Sequence, residues 1–229
     1  MRADPRLSII IPTRDEASCI ARLLGDLAPL RAMGHELILV DSGSDDDTAG
    51  IAAPLVDRVI HAERGRAVQM NAGARLASGD ILWFLHADTR VPPGAAQRLI
   101  DTCIDGDSVW GRFDLHLSGT RPILRVVSAM MNLRSRLTGV ATGDQGIFVM
   151  RDQFLRAGGF PAIPLMEDIA LSKALRRIAR PACIRRPRLQ TSSRRWERHG
   201  VMRTIALMWR LRLAYALGVP PHQLARHYQ

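Results

Sequence analysis

Cysteine is scarce in this chain. The three present, Cys19, Cys103 and Cys183, are odd in number and widely spaced. They form no zinc-ligand spacing, so a reduced, cytosolic protein is the simple expectation. Lysine is nearly absent: Lys173 is the only one, and arginine supplies the rest of the 32 basic residues. Long hydrophobic runs are missing too. No uninterrupted apolar stretch reaches the length of a membrane span, and residues 1–5 lack the apolar core of a signal peptide. Neither a Gly-x-Gly-x-x-Gly fingerprint nor a Walker loop follows the first apolar run. Glycines at that turn are what a dehydrogenase or P-loop enzyme would place there. No zinc-finger or aromatic RNA-platform motif accompanies the net charge of +10, which argues against nucleic acid as a partner.

What remains is a chain of 229 residues, 47% hydrophobic, enough for one large domain or a domain with an appendage. Its basic surface suits phosphates or anionic lipids, although genome base composition explains part of the arginine excess. Leu7-Ser8-Ile9-Ile10-Ile11 reads as a first buried strand, ended by Pro12. Ile20, Leu23, Leu24, Leu27 and Leu30 follow at helical spacing. Leu37-Ile38-Leu39-Val40 reads as a second strand running into a turn-rich acidic loop from Asp41 to Thr48. Arg58-Val59-Ile60-His61 is a third strand, residues 67–77 a helix, and Ile81-Leu82-Trp83-Phe84-Leu85 a fourth strand. This alternation predicts an α/β fold with a mostly parallel sheet and helices on both faces.

Beyond residue 90 the pattern changes. Pro93 opens a helix. Residues 108–117 alternate, with Trp110, Arg112, Asp114 and His116 on one face, which predicts a half-exposed strand with a polar working face. A helix over about 123–137 leads to the loop Thr142-Gly143-Asp144-Gln145-Gly146 and to a strand at 147–150. Asp152 is expected to cap a short helix, and another runs from Glu167 or Asp168 to about residue 179. Residues 201–217 are helical, with a stripe of Met202, Ile205, Trp209, Leu213 and Ala216. That stripe fits a terminal helix packed on its own domain or an amphipathic helix lying on a membrane surface.

Chemistry concentrates where the first four strands end. Asp88 lies just past the fourth strand, at the place where open α/β sheets bind ligands. One carboxylate there can hold a divalent cation while a diphosphate supplies further oxygens. His86, two residues away, points the same way if the segment is extended. Asp41 could accept a hydrogen bond from a base or ribose, or serve only as a turn residue. Arg64, Arg66 and Asn71 bracket a helix start suited to a diphosphate, or form a solvated face. Glu167 and Asp168 either stabilise a helix N-terminus or include a general base.

Ile11-Pro12-Thr13-Arg14-Asp15-Glu16, Val40-Asp41-Ser42-Gly43-Ser44, Arg66 through Gly73, His86-Ala87-Asp88 and Met166-Glu167-Asp168 occur in one order and at compatible spacing. Together they resemble the inverting family-two glycosyltransferases, over almost the whole chain. The resemblance implies a GT-A fold, a nucleotide-diphosphate sugar donor, a hydroxyl-bearing small-molecule or lipid acceptor, and Mg²⁺ or Mn²⁺. It implies that Pro12, Arg14, Glu16 and Asp41 face the nucleoside, with Arg66, Arg112, Arg195 and Trp196 near the diphosphate or sugar. Asp88 would be the retained acid of an Asp-x-Asp metal motif, with His86 in the place of the first acid. Asp168 would be the catalytic base; Asp144, Gln145 and Glu167 would line the acceptor side. Asp15 stands where the family usually has Asn, and Ser42 where a second acid is common.

The strings Gly143-Asp144-Gln145-Gly146, Pro164-Leu165-Met166-Glu167-Asp168 and Ser192-Ser193-Arg194-Arg195-Trp196 resemble a bacterial subgroup associated with arsenosugar biosynthesis. On this reading residues 1–190 form the glycosyltransferase domain, with a nucleotide half (1–90) and an acceptor half (91–190). Residues 191–229 form a C-terminal helical extension, and the protein sits in the cytoplasm or peripherally at the inner face of the cell membrane. Two other readings stay open: a sugar-phosphate nucleotidyltransferase, which would carry a glycine-rich basic loop after the first strand, and a non-catalytic protein that binds nucleotide sugars or membrane surfaces.

Overall fold

The computed structural model describes residues 5–105 and 108–227. Four strands lie parallel: β1 (Leu7–Thr13), β2 (Glu36–Asp41), β3 (Arg58–His61) and β4 (Ile81–Phe84). Helices cover both faces of this half-sheet, so β1, β2 and β4 read as apolar runs rather than as alternation. On one side Ile9 and Ile11 pack with Ile20, Leu23, Leu24 and Leu27 of α1 (Ala17–Ala32) and with Leu99 of α4 (Ala95–Ile104). On the other, Ile10, Ile38 and Val40 pack under α3 (Arg66–Leu76). A Cβ at Gly73 would lie 2.6 Å from Ile10 Cγ2, so α3 rests on the sheet at a distance only glycine allows. Buried Gln69, one turn earlier, donates Nε2 to the carbonyls of Thr13 and Val40, both at 2.8 Å, and ties the ends of β1 and β2 together.

The full sheet has the order β3-β2-β1-β4-β6-β5-β7. Strand β6 (Phe148–Met150) runs antiparallel to β4 and to β5 (Trp110–Leu117), and β7 (Ala182–Thr191) runs parallel to β5. From β1 the chain moves outward to β2 and, after the short α2 (Thr48–Ala52), to β3. It then returns to place β4 on the other side of β1. The segments leaving β1 and β4 therefore diverge and open a crevice at the carboxyl edge.

Several expectations are corrected. Strand β1 continues through Pro12 to Thr13, because its ladder with β4 stops at Ile10 and the missing N–H breaks no rung. The helix expected at Pro93 starts at Ala95. The cap residue of α6 (Arg151–Arg156) is Met150 rather than Asp152, and α7 (Glu167–Leu175) ends before residue 179.

The largest change concerns β5. Its polar face is not a working surface; only His116 is exposed. Helix α5 (Pro122–Thr138) lies over it, and Asn132 accepts from Leu115 N–H (3.0 Å) and donates to Leu115 C=O (2.8 Å). Ser128 accepts from Leu117 N–H in the same way. Arg112 is 0% exposed and pairs with Asp114, which also receives Arg136 at 3.2 Å. The guanidinium expected near a diphosphate is thus a core ion pair.

Three helices follow β7: α8 (Arg194–His199), α9 (Val201–Ala216) and α10 (Pro221–Ala225). Helix α9 buries Val201, Thr204 and Leu211. Leu211 joins Leu165, Met166 and Ile169 around the start of α7, and Val201 joins Leu124 and Val127 of α5. Of the stripe read from the sequence, Ile205 packs beside Val201, while Met202 (71%), Trp209 (61%) and Leu213 (62%) are exposed, so most of it faces outward rather than into the domain. Lys173 Nζ on α7 lies 5.1 Å from the ring centre of Tyr215 on α9. Among the described residues no helix is long and apolar enough to cross a membrane.

The Arg112–Asp114 pair gives a stability prediction. Asp114→Ala leaves a buried guanidinium without its counter-ion and should cost about 3–5 kcal/mol. Urea unfolding of wild type and variant measures it. A loss below about 1 kcal/mol would mean the charge is compensated elsewhere, at the low end of what ion pairs are worth.

Candidate active site

A cleft of about 660 Å³ lies at the carboxyl edge of the sheet, between the end of β4, the 3₁₀ turn Gly143–Gln145, the start of α7 and the C-terminal helices. Arg66, His86, Asp88, Asp144, Glu167, Asp168, Arg195 and Trp196 all line it, which brings together eight of the residues singled out in the sequence.

Asp88 sits just past β4. Arg194 Nη2 lies 3.8 Å from Asp88 Oδ2 and donates to Glu16 Oε2 at 3.1 Å. One guanidinium from α8 thus bridges the acids that follow β1 and β4. Burial, with repulsion from Glu16 and Asp144, pushes the Asp88 carboxyl above its ordinary range, while Arg194 and Arg66 pull the other way. The His86 imidazole is pushed down to about 3 by burial and by Arg66. It is neutral at physiological pH, with a lone pair free for a cation. A carboxylate crowded by other acids, next to a neutral imidazole, fits a divalent cation. Among the described residues no three His, Cys, Asp or Glu side chains converge on one point. Water and phosphate oxygens would therefore complete any such shell.

The opposite wall comes from α7. Met166, at φ 69°, turns the chain into the helix and sets Glu167 and Asp168 in its first turn. Asp168 accepts from Gly143 N–H at 3.0 Å and from Ile169 N–H at 2.7 Å. Gly143 has no room for a side chain: a Cβ would lie 2.6 Å from His86 Nε2. This one residue joins the β4 side of the cleft to the α7 side, and the sequence reading passed over it. Glu167 is buried, and burial together with Asp168 raises its carboxyl to about 7. Burial also raises Asp144, whose Oδ1 has no hydrogen-bond partner.

Other expected residues lie elsewhere. Gln145 is 0% exposed and turned inward; its Oε1 accepts from Thr142 N–H at 3.1 Å and closes the 3₁₀ turn, so it holds the loop rather than facing an acceptor. Asp41 is buried and accepts from Gly43 N–H, Ser44 N–H, the Ser44 hydroxyl and Thr13 Oγ1, so its carboxylate already shapes its own loop. Burial pushes its pKa up, but these hydrogen bonds to the charged form outweigh it and hold the pKa below the ordinary value. Pro12 lies within β1, and Arg14 pairs with Asp15 at 3.5 Å. Asp15 takes φ 54°, a left-handed backbone that Asn and Asp tolerate best, which accounts for Asp at this position. Asn71 exchanges hydrogen bonds with the backbone of Phe160 and is structural. Arg134 and Arg212 line the cleft, and the sequence reading gave neither a place there.

Residues 8–158 match the Glycosyl transferase family 2. The chain belongs to that family. Among curated relatives it is 32% identical over 154 residues to an undecaprenyl-phosphate 4-deoxy-4-formamido-L-arabinose transferase of Pseudomonas savastanoi, covering 61% of this chain and 45% of the relative. It is 43% identical over 93 residues to a PGL/p-HBAD biosynthesis glycosyltransferase of Mycobacterium bovis, covering 38% of this chain and 36% of that one. The chain thus spans under half the length of these relatives. Among solved structures, TarS 1–349 of S. aureus superposes with a TM-score of 0.69 at 18% identity, over 82% of this chain and 60% of that one. The mannosyltransferase PcManGT of Pyrobaculum calidifontis, in complex with GDP-Man and Mn²⁺, gives 0.60 at 23%, over 83% and 57%. These likenesses bear out the α/β, GT-A type of fold.

Glu167 yields a pH prediction. A carboxyl raised in the fold binds its proton more tightly there than in the unfolded chain, so stability must fall as pH rises through the interval between the two values. For Glu167 that window runs from its ordinary 4.5 to about 7. Urea unfolding at a series of pH values should show wild type losing stability across this window and Glu167→Gln losing much less. Parallel curves for the two proteins would refute the assignment.

Proposed function

We propose that this protein is an inverting glycosyltransferase that moves a sugar from a nucleotide-diphosphate donor to an acceptor hydroxyl. The observation that carries the reading is the single cleft in which Asp88 and the arginines Arg66, Arg194 and Arg195 stand opposite Asp168. It is supported by membership of a glycosyl transferase family. Residues 1–90 would serve the nucleotide, residues 91–190 the acceptor, and 191–229 would cover the cleft.

Mg²⁺ or Mn²⁺ held by Asp88, with His86 beside it, would neutralise charge on the leaving diphosphate. Arg66 and Arg195 would bind the same phosphates, with Trp196 closing over them, and Arg194 would exchange Glu16 and Asp88 for phosphate oxygens as the donor enters. Glu16 and Arg14, beside the end of β1, would face the nucleoside. Asp168 would take the proton of the acceptor hydroxyl while its oxygen bonds to the anomeric carbon from the face opposite the breaking bond; the nucleoside diphosphate leaves with the bonding pair. The two backbone N–H groups on Asp168 hold its carboxylate in place for this. Asp144 and Glu167 would border the acceptor. The arsenosugar association remains part of this proposal and rests on the loop strings alone.

The test is calorimetry with nucleoside diphosphates and Mn²⁺, followed by single-turnover transfer. Asp88→Asn should weaken metal-dependent donor binding with the fold intact. Asp168→Asn should bind donor nearly as wild type and lose transfer by at least about a hundredfold, the lower end of a general-base effect. Near wild-type turnover in Asp168→Asn would remove it as the base.

The outward stripe of α9, flanked by exposed Arg203 and Arg210, supports contact with an anionic membrane surface, the protein lying peripherally on its cytoplasmic side. Co-sedimentation with phosphatidylglycerol vesicles should be strong at low salt and weaker at high salt. No binding at low salt would leave α9 as an ordinary packed helix.

A further inference from the structure

Arg134 is out of place on α5. It sits among Met130, Leu133 and Leu137, while Ser128, Asn132 and Arg136 of the same helix bond to β5. Its guanidinium turns into the cleft. Nε and Nη2 are closed off from solvent and have no hydrogen-bond partner among the described residues. Burial and the neighbouring Arg212 lower its pKa to about 10, while Asp144 and Asp168 raise it only through space, without forming an ion pair. A buried guanidinium with unused donors is costly unless something fills the gap. Asp144 Oδ1 is equally buried and equally without a partner. The cleft therefore holds an unsatisfied cationic donor and an unsatisfied acceptor that do not satisfy each other.

A ligand with an anionic oxygen next to a hydroxyl would satisfy both. Its anionic oxygen would accept from Arg134 and Arg212. Its hydroxyl would donate to Asp144, on the side of the cleft where Asp168 stands. The rest of the wall says what else such a molecule carries. Met130, Leu133 and Leu137 of α5 and Met208 and Trp209 of α9 line the same cleft. Leu137 is 77% and Trp209 61% exposed, so the apolar wall runs out to the surface. Val126 of α5 and Met202 and Leu213 of α9, on the same two helices, are each more than half exposed as well.

We propose that Arg134 and Arg212 form an anion subsite for the headgroup of a membrane-borne amphiphile, whose apolar chain leaves the cleft between α5 and α9. The proposal rests on the glycosyl-transfer reading for its role as acceptor, but the subsite itself can be tested without transfer. A lipid is favoured over a free anion because exposed apolar side chains of both helices, Leu133 and Leu137 of α5 and Trp209 of α9, line the same cleft as the two arginines.

The probes are dodecyl phosphate below its micelle concentration, dodecyl maltoside as the same chain without charge, and inorganic phosphate. Titration calorimetry is run on wild type, Arg134→Gln, Arg212→Gln and Arg98→Gln, the last an exposed arginine on α4. Dodecyl phosphate should bind wild type at least tenfold more tightly than either other probe. Arg134→Gln and Arg212→Gln should each lose tenfold or more, and Arg98→Gln should not change. Thermal melting checks the fold of each variant. Should Arg134→Gln unfold, Arg212→Gln, on a half-exposed side chain, decides the matter. Equal binding of dodecyl phosphate to wild type and to both cleft variants would overturn the subsite. Inorganic phosphate binding as tightly as dodecyl phosphate would point to a soluble anion and overturn the lipid. Nucleoside diphosphate with Mn²⁺ is titrated into the same proteins: its failure to bind wild type would sink the glycosyl-transfer reading and leave the subsite result standing.

Discussion

Carboxylates crowded into one low-dielectric cleft are the constraint on which the rest of this structure turns. Asp88, Asp144, Glu167 and Asp168 line it from three different segments, Glu16 reaches Asp88 through Arg194, and repulsion between these acids, added to burial, raises the proton affinity of Asp88 and Glu167. Such a group of acids holds together only with positive charge nearby. None of the first three helices supplies it except through Arg66. It comes from later in the chain: Arg134 on α5, Arg194 and Arg195 on α8, Arg212 on α9. The C-terminal helices are therefore more than a cover. Their packing against Leu165, Met166 and Ile169 sets where the arginines stand, and α7 in turn sets where Asp168 stands.

The backbone beneath the cleft explains how acids so far apart in sequence come so close. Parallel strands β1 and β4 end side by side, and the chain leaves them in opposite directions. Gly143 then lets a later loop touch His86 and Asp168 at once. Close approach at Gly73 and Gly143 and one buried glutamine, Gln69, hold the strand ends and loops of this edge together.

Strands β1, β2 and β4 were legible because both faces of each are covered, so their residues are almost continuously apolar; β3, at the sheet edge, was legible from its two central β-branched residues. Strand β7 was not. Arg185, Arg186, Pro187 and Arg188 carry no apolar run or clean alternation, and such residues are tolerated there because β7 has β5 as its one neighbouring strand and lies at the sheet edge. Asp88 and Asp168 stood out by position, just past a strand and at the start of a helix, whereas Asp144, in the turn between α5 and β6, was singled out only through the family resemblance. Arg112 and Gln145 misled for one reason: alternation and loop position show which way a side chain points along its own segment, not what later packs over it. Here α5 covers Arg112, and the 3₁₀ turn folds Gln145 inward. Arg134 was missed for the converse reason, since a lone arginine in an apolar stripe has no meaning until α9 is laid beside it. The stripe of α9 was legible, but which way it faces was not, because that depends on which side of the helix packs on α5 and α7.

The contact between Lys173 and Tyr215 has a practical consequence. Because arginine has replaced lysine everywhere else, this is the one side-chain amine in the sequence. It stands exposed on α7, against the ring that belongs to α9. An amine-directed fluorophore or crosslinker would therefore mark a single side chain at the seam between the helix that carries Asp168 and the helix that carries Arg212. Guanidinium chemistry elsewhere would leave it undisturbed. The composition bias that makes the surface look uniform thus leaves one side chain that such a reagent can address, at the junction between α7 and α9.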